Sequence, residues 1–200
     1  MTANLEYLTA EFTRLIGPEA FARAVAGLAE AGKPGSAPPA PTTPAPAPVA
    51  AGAAPAAAAK PAVAPSAPPP PIQILDQVAK GFQFDAIVAP AQVVEAAQIM
   101  DRTGFAIDAV TGVDWIAQNQ MEVVYDFFHP EVQLRAVVRT RVPRAQPELP
   151  TISTVFPGAN WHERETHDFF GIKFLGHPNL KPFLLPEDAN FHPLRKDYQP

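Results

Sequence analysis

The chain has 200 residues, a formal net charge of −5, 26 prolines and no cysteine. The missing thiols exclude disulfides, thiolate zinc sites, iron–sulfur ligation through cysteine and cysteine nucleophiles. The acidic balance disfavours non-specific nucleic-acid binding, which relies on a basic surface, so no nucleic-acid partner is expected.

The first residues, MTANLEYLTAEF, lack a basic region followed by an apolar run, so they do not read as a secretory signal, and a cytoplasmic chain is expected. Leu5, Leu8, Phe12 and Leu15 recur at helical spacing across 3–16. Pro18 opens a second helix over about 18–31, with Phe21, Val25 and Leu28 on one face and a stop at Gly32-Lys33-Pro34. Two such short helices are marginal alone. Residues 1–33 are therefore expected to form a short, weakly folded helical tail, with a docking hairpin as the competing expectation.

Residues 34–71 hold 14 of the 26 prolines, 15 alanines and a single charge, Lys60. They offer no large apolar side chain to offset the cost of ordering a backbone, which predicts a disordered, semi-rigid Pro/Ala linker. The prolines also break any continuous apolar run, so no membrane span is expected.

One domain of ordinary size remains, 72–200, with 16 acidic and 11 basic residues. Its first stretch, IQILDQVAKGF, reads as a short helix, and FQFDAIVA as a strand. PAQVVEAAQIMDRT reads as a helix opened by Pro90, with Val93, Val94, Ala97 and Met100 inward. FAIDAVTGVDW is strand-like, and MEVVYDFF and VQLRAVVRTRV form a hairpin joined at HPE, with Leu134, Ala136 and Val138 on one face and Arg135, Val137, Arg139 and Arg141 on the other. The mixture predicts an α+β fold: a mixed sheet with helices packed on one face, followed by an extended C-terminal segment from about residue 176. That segment carries five prolines from Pro178 onward, yet Leu180, Phe183, Leu184, Leu185, Phe191, Leu194 and Tyr198 make it too apolar for a free tail. It is expected to lie in a groove on another protein, the alternative being that it wraps back over its own domain.

The most charged stretch is WHERETHDFFGIKF, 161–174. Its histidines, His162 and His167, are five positions apart, about 140° around a helix, and cannot share one metal ion as histidines four apart do. Glu163 and Glu165 point in different directions and make no acid/base pair. Glu163–His167 and Arg164–Asp168, each four apart, are the pairs the spacing predicts. With Trp161, Phe169 and Phe170 between them, they suggest a helix covered on more than one side, where charges set register and partner choice. Isolated glycines provide no phosphate loop, and Asp197 offsets part of the charge of PLRKDY.

TGVDW (111–115), VVYDFF (123–128), ANWHERETHDFFGIKFLGHPNLKPFLLPED (159–188) and HPLRKDYQ (192–199) occur in this order. Together they resemble the 30 kDa subunit family of respiratory complex I, the C subunit of NADH-quinone oxidoreductase, across about 72–200. His167 departs from the pattern, where that family usually carries an aromatic residue.

The resemblance implies a non-catalytic peripheral-arm subunit, peripheral to the cytoplasmic side of the cell inner membrane, within a proton-translocating complex. Its partners would be the large hydrogenase-like D subunit and neighbouring peripheral-arm subunits. NADH, FMN, iron–sulfur clusters and quinone would be bound elsewhere in the complex, with no cofactor or metal in this chain and no activity in the chain alone. An equivalent assembly subunit of a membrane-bound hydrogenase or formate hydrogenlyase is the alternative. The expected assembly interface comprises Trp161, Glu163, Arg164, Glu165, Asp168, Phe169, Gly171, His177, Pro178, Pro193, Leu194, Arg195, Lys196, Asp197 and Tyr198.

Overall fold

The structure is a computed structural model that describes residues 2–17 and 71–199. The helix expected at 18–31 and the linker expected at 34–71, Pro71 apart, lie outside the described residues.

In chain order the elements are α1 (Thr2–Ile16), β1 (Ile72–Ile74), α2 (Gln77–Lys80), β2 (Phe84–Ile87), a 3-10 turn (Pro90–Gln92), α3 (Val93–Arg102), β3 (Ala106–Trp115), β4 (Gln120–His129), β5 (Leu134–Pro143), β6 (Glu148–Pro150), α4 (Ala159–Phe170) and β7 (Lys173–Leu175). The main sheet has the order β1-β2-β5-β4-β3, with β2 parallel to β5 and the other neighbours antiparallel. A second, two-stranded sheet pairs β6 with β7 in parallel.

Period-two alternation decides which side of the main sheet is covered. Phe84, Tyr125, Phe127, Leu134, Ala136 and Val138 are buried on the helical side, in register as Tyr125 opposite Val138 and Phe127 opposite Ala136. The opposite side carries Arg135, Arg139 and Arg141, ion-paired to Asp108 and Asp126, to Asp85 and to Glu122. The expected α+β architecture, with helices packed on one face, is the observed one.

Two expectations are corrected. IQILDQVAKGF is not one helix: Ile72–Ile74 pair with β2 as an edge strand and only Gln77–Lys80 is helical. Asp76 separates the two by accepting the Val78 N–H, and Gly81, at φ +83°, ends the helix in the left-handed region. The second correction concerns the tail. Leu8 and Phe12 are fully buried and Ile16 nearly so, within the same core as the sheet. Phe12 meets Phe84 edge-on at 5.1 Å between centroids, and Gln92 Nε2 donates to the Leu15 carbonyl at 2.7 Å. Helix α1 is marginal by itself, but burying Phe12 alone contributes about 2–3 kcal/mol. Residues 2–16 are part of the domain.

In α3 the buried residues are Val93, Ala96, Ala97, Ile99 and Met100. Val94 sits at the margin instead of inside.

Candidate functional site

Helix α4 lies against strand β3, held at two points. Thr166 Oγ1 donates to the Val110 carbonyl at 3.0 Å, and the Phe170 ring occupies the space where a Cβ on Gly112 would be. Only glycine permits that approach.

From this seat the charged side chains leave in different directions, and neither predicted four-residue pair forms. Glu163 is fully buried. Its Oε1 accepts the Ile152 N–H at 2.8 Å and its Oε2 accepts the Thr151 hydroxyl. Burial drives its pKa from 4.5 to about 7, and those two hydrogen bonds only partly oppose this. The carboxyl therefore joins α4 to the residues that follow β6, not to His167. His167 Nδ1 instead donates to the Ile172 carbonyl at 2.9 Å. The His177 side chain is also fully buried, 3.8 Å from Glu163 Oε2. Its Nε2 donates to the Asn160 carbonyl and its Nδ1 accepts the Asn179 N–H, a pattern that fixes the neutral tautomer. Burial lowers its pKa.

Arg164 and Asp168 reach the C-terminal arm instead of one another. Arg164 Nε and Nη2 donate to the carbonyls of Lys181 and Pro182, both at 3.1 Å. Its guanidinium lies 5.0 Å from the Trp161 ring and 4.9 Å from the Phe183 ring, and the two rings are themselves in contact. Asp168 Oδ2 accepts three backbone N–H groups, from Phe183, Leu184 and Leu185. Backbone groups of the arm thus satisfy both charges through charge-assisted bonds, in place of the i, i+4 pair.

The arm thus wraps back over its own domain, as the alternative expectation has it. Past Asn190 it is fastened again. His192 Nδ1 donates to the Asp168 carbonyl, the Leu194 N–H to the Phe169 carbonyl and Arg195 Nε to the Phe170 carbonyl. These contacts satisfy the last carbonyls of α4, which ends at Gly171 with φ +71°. Asp114 then receives the Lys196 N–H at 2.9 Å and both Nε and Nη2 of Arg144, which also pairs with Asp197. Burial raises the pKa of Asp114, but Arg144 and the Lys196 N–H outweigh it and hold the carboxyl below its usual range.

Side chains on this frame still face outward. Trp161, Phe183, Leu184 and Leu194 are about half exposed and Phe191 is 39% exposed, stacked on Tyr198. Glu165 and Pro178 are exposed, Phe169 and Pro193 are half-buried, and Lys196 points outward. Of the residues expected to act at an interface, Glu163, Asp168 and the His177 side chain are therefore internal. Asp114, Arg144, Thr151 and Ile152 were missed as site residues. The alternation of β3 places Asp114 on the buried face with Val110 and Gly112, which signals a partnered acid, but nothing local points to Arg144. Among the described residues no three His, Asp or Glu side chains are placed to hold a metal ion, and no helix is long and apolar enough to cross a membrane.

Residues 86–200 match the family described as respiratory-chain NADH dehydrogenase, 30 Kd subunit. The chain belongs to that family. It is 36% identical over 126 residues to the NADH-quinone oxidoreductase C subunit of Moorella thermoacetica, covering 62% of this chain and 85% of that protein. It is 42% identical over 95 residues to the F(420)H(2) dehydrogenase C subunit of Methanosarcina mazei, covering 46% of this chain and 58% of that one. A chain of the membrane-bound sulfane sulfur reductase, an archaeal respiratory membrane complex, superposes with a TM-score of 0.54 at 30% identity, over 58% of this chain and 71% of that chain. The chain spans most of the first relative and little more than half of the second. The matched family region contains α4, the arm and the Asp114–Arg144 clasp, while α1 lies before it.

Proposed function

We propose that the chain is a non-catalytic assembly subunit in the peripheral arm of a proton-translocating NADH-quinone oxidoreductase. It holds the large hydrogenase-like subunit through the outer face of α4 and the arm, on the cytoplasmic side of the membrane. The NADH, FMN, iron–sulfur and quinone sites belong to other subunits. Support comes from family membership and from one observation in particular: the backbone of the arm is fastened to α4 by Arg164 and Asp168, while Trp161, Phe183, Leu184 and Leu194 remain half exposed. A pre-ordered frame presenting aromatic and aliphatic side chains costs little conformational entropy on docking, and aromatic residues with arginine are the types enriched at interface hot spots.

Trp161→Ala and Leu184→Ala change side chains that the core does not need. Each is expected to lower the amount of assembled complex on native gels several-fold, with turnover per assembled complex unchanged. Normal abundance with lost turnover would place this face in the chemistry and overturn the proposal.

A second version of the same role has a specific observation behind it. The similarity to a subunit named for F(420)H(2) dehydrogenase and to a chain of a sulfane sulfur reductase fits a scaffold that serves complexes with other electron donors or acceptors, membrane-bound hydrogenases and formate hydrogenlyase among them. Identifying the subunits that co-purify from the native membrane decides between donors.

A further inference from the structure

Arginine charges in the described residues are nearly all neutralised within the chain. Arg135, Arg139, Arg141 and Arg144 each meet carboxylates across the sheet or the clasp, and Arg14 and Arg102 both meet Glu11. Arg164 has no carboxylate but is spent on two carbonyls and two aromatic rings. Arg195 is different.

Arg195 is half-buried and uses only its Nε, on the Phe170 carbonyl at 2.7 Å. Neither Nη group has an acceptor among the described residues. The nearby carboxylates are taken: Asp114 by Arg144 and the Lys196 N–H, Asp197 by Arg144. Burial and the neighbouring Arg144 guanidinium disfavour the charge of Arg195 and outweigh the favourable pull of Asp197 and Asp114, so its pKa is lowered. Its position is nevertheless fixed. The space beside Gly171 is filled jointly by Arg195 Nη2 and His192 Nε2, and His192 is itself anchored to the Asp168 carbonyl. Phe191 and Leu194, close to it in the chain, are exposed apolar side chains. An immobilised cation that no carboxylate hydrogen-bonds, with exposed apolar residues close to it in the chain, has the make-up of an interface anchor whose rim excludes water.

We propose that Arg195 is the receptor for a docking carboxylate: the partner protein that covers the arm inserts an Asp or Glu side chain, which pairs fork to fork with the two free Nη groups while Phe191 and Leu194 close over the pair. This rests on the arm being an assembly face and adds the chemistry that the partner must present.

The test uses the whole complex with Arg195→Gln and Arg195→Lys. R195Q is expected to lower the yield of assembled complex at least tenfold, and R195K, which keeps the charge without the fork, to recover part of it. In assembled R195K, treatment with a carbodiimide is expected to give a zero-length cross-link between position 195 and an Asp or Glu of the partner, located by peptide mass spectrometry. Because R195Q also loses the Phe170 contact, its urea midpoint as an isolated chain is measured beside wild type, and the cross-link decides where that midpoint falls. Wild-type yield for R195Q, or a cross-link confined to carboxylates of this chain, overturns the proposal while the assembly role stands. If the wild-type chain co-purifies with no large subunit, it is the assembly role that fails.

Discussion

Replacing Glu163 by glutamine removes a titrating proton while keeping the side-chain shape and an acceptor for the Ile152 N–H. The amide NH2 can donate to Thr151 Oγ1, as a protonated carboxyl would. In the wild type this carboxyl is fully buried and held at about 7 instead of 4.5. The folded chain therefore keeps the proton more tightly than the unfolded chain. The resulting contribution to stability is complete below pH 4.5 and is lost as the pH rises through about 7. Across that window it amounts to about 3 kcal/mol, with no discount for solvent screening because the side chain has no exposure. His177 works in the other direction: its lowered pKa gives a contribution that disappears as the pH falls through its folded value. It is common to both proteins and largely cancels in their difference. Urea unfolding followed by tryptophan fluorescence, from pH 5 to 8, is expected to show E163Q gaining about 2–3 kcal/mol on the wild type towards the alkaline end. A difference between the two proteins that stays flat over this range would show that Glu163 is ionised throughout, and the account of its burial would be wrong.

Asp114→Asn leaves the Arg144 guanidinium, 16% exposed, without its buried partner; a loss of about 3–5 kcal/mol is expected in the same unfolding assay, with faster amide exchange across 194–198. Gly171→Ala combines a left-handed backbone with a Cβ driven into His192 and Arg195; a loss of at least about 1 kcal/mol is expected, and proteolysis of the arm should accelerate. A specific protease site inserted between residues 40 and 60 is expected, once cut, to leave the N-terminal fragment bound through Leu8, Phe12 and Ile16, as gel filtration would show. Phe12→Ala, which costs about 3–5 kcal/mol, should release it.

The strands were legible because alternation is a local signal. Leu134, Ala136 and Val138 could be assigned to one face from sequence alone, and the hairpin they belong to is β4–β5. Helix α4 was legible for the same reason, as was the wrong histidine spacing for zinc. What could not be read was where its charges go. Spacing on a helix names neighbours on that helix, but Glu163, Arg164 and Asp168 find backbone groups 11 to 18 residues away, and no periodicity encodes such a choice. Helix α1 was misjudged likewise. Its length argues for marginal stability, and contacts with residues far along the chain, Phe84 and Gln92 among them, tip that balance. The resemblance supplied the family, because motif order survives where contact geometry is invisible.

The manner in which the arm is fastened limits how a partner can recognise it. An extended segment usually offers its backbone, and partners add a strand to it. Here Pro178, Pro182, Pro186 and Pro193 have no N–H to offer. Asp168 takes those of Phe183, Leu184 and Leu185. Those of Leu194 and Lys196 go to Phe169 and Asp114, and two arm carbonyls are taken by Arg164. Around Phe183 and Leu194 the backbone N–H groups are thus spoken for, which leaves side chains as the chief features for a partner to read. A strand paired along 183–185 would first have to displace a buried carboxylate from three charge-assisted bonds, an uncompensated loss of several kcal/mol. Recognition through pockets for Phe183, Leu184 and Leu194 requires no such displacement. The charged residues of α4 thus act on the partner indirectly: they hold the arm in the one backbone conformation from which its apolar side chains can be read.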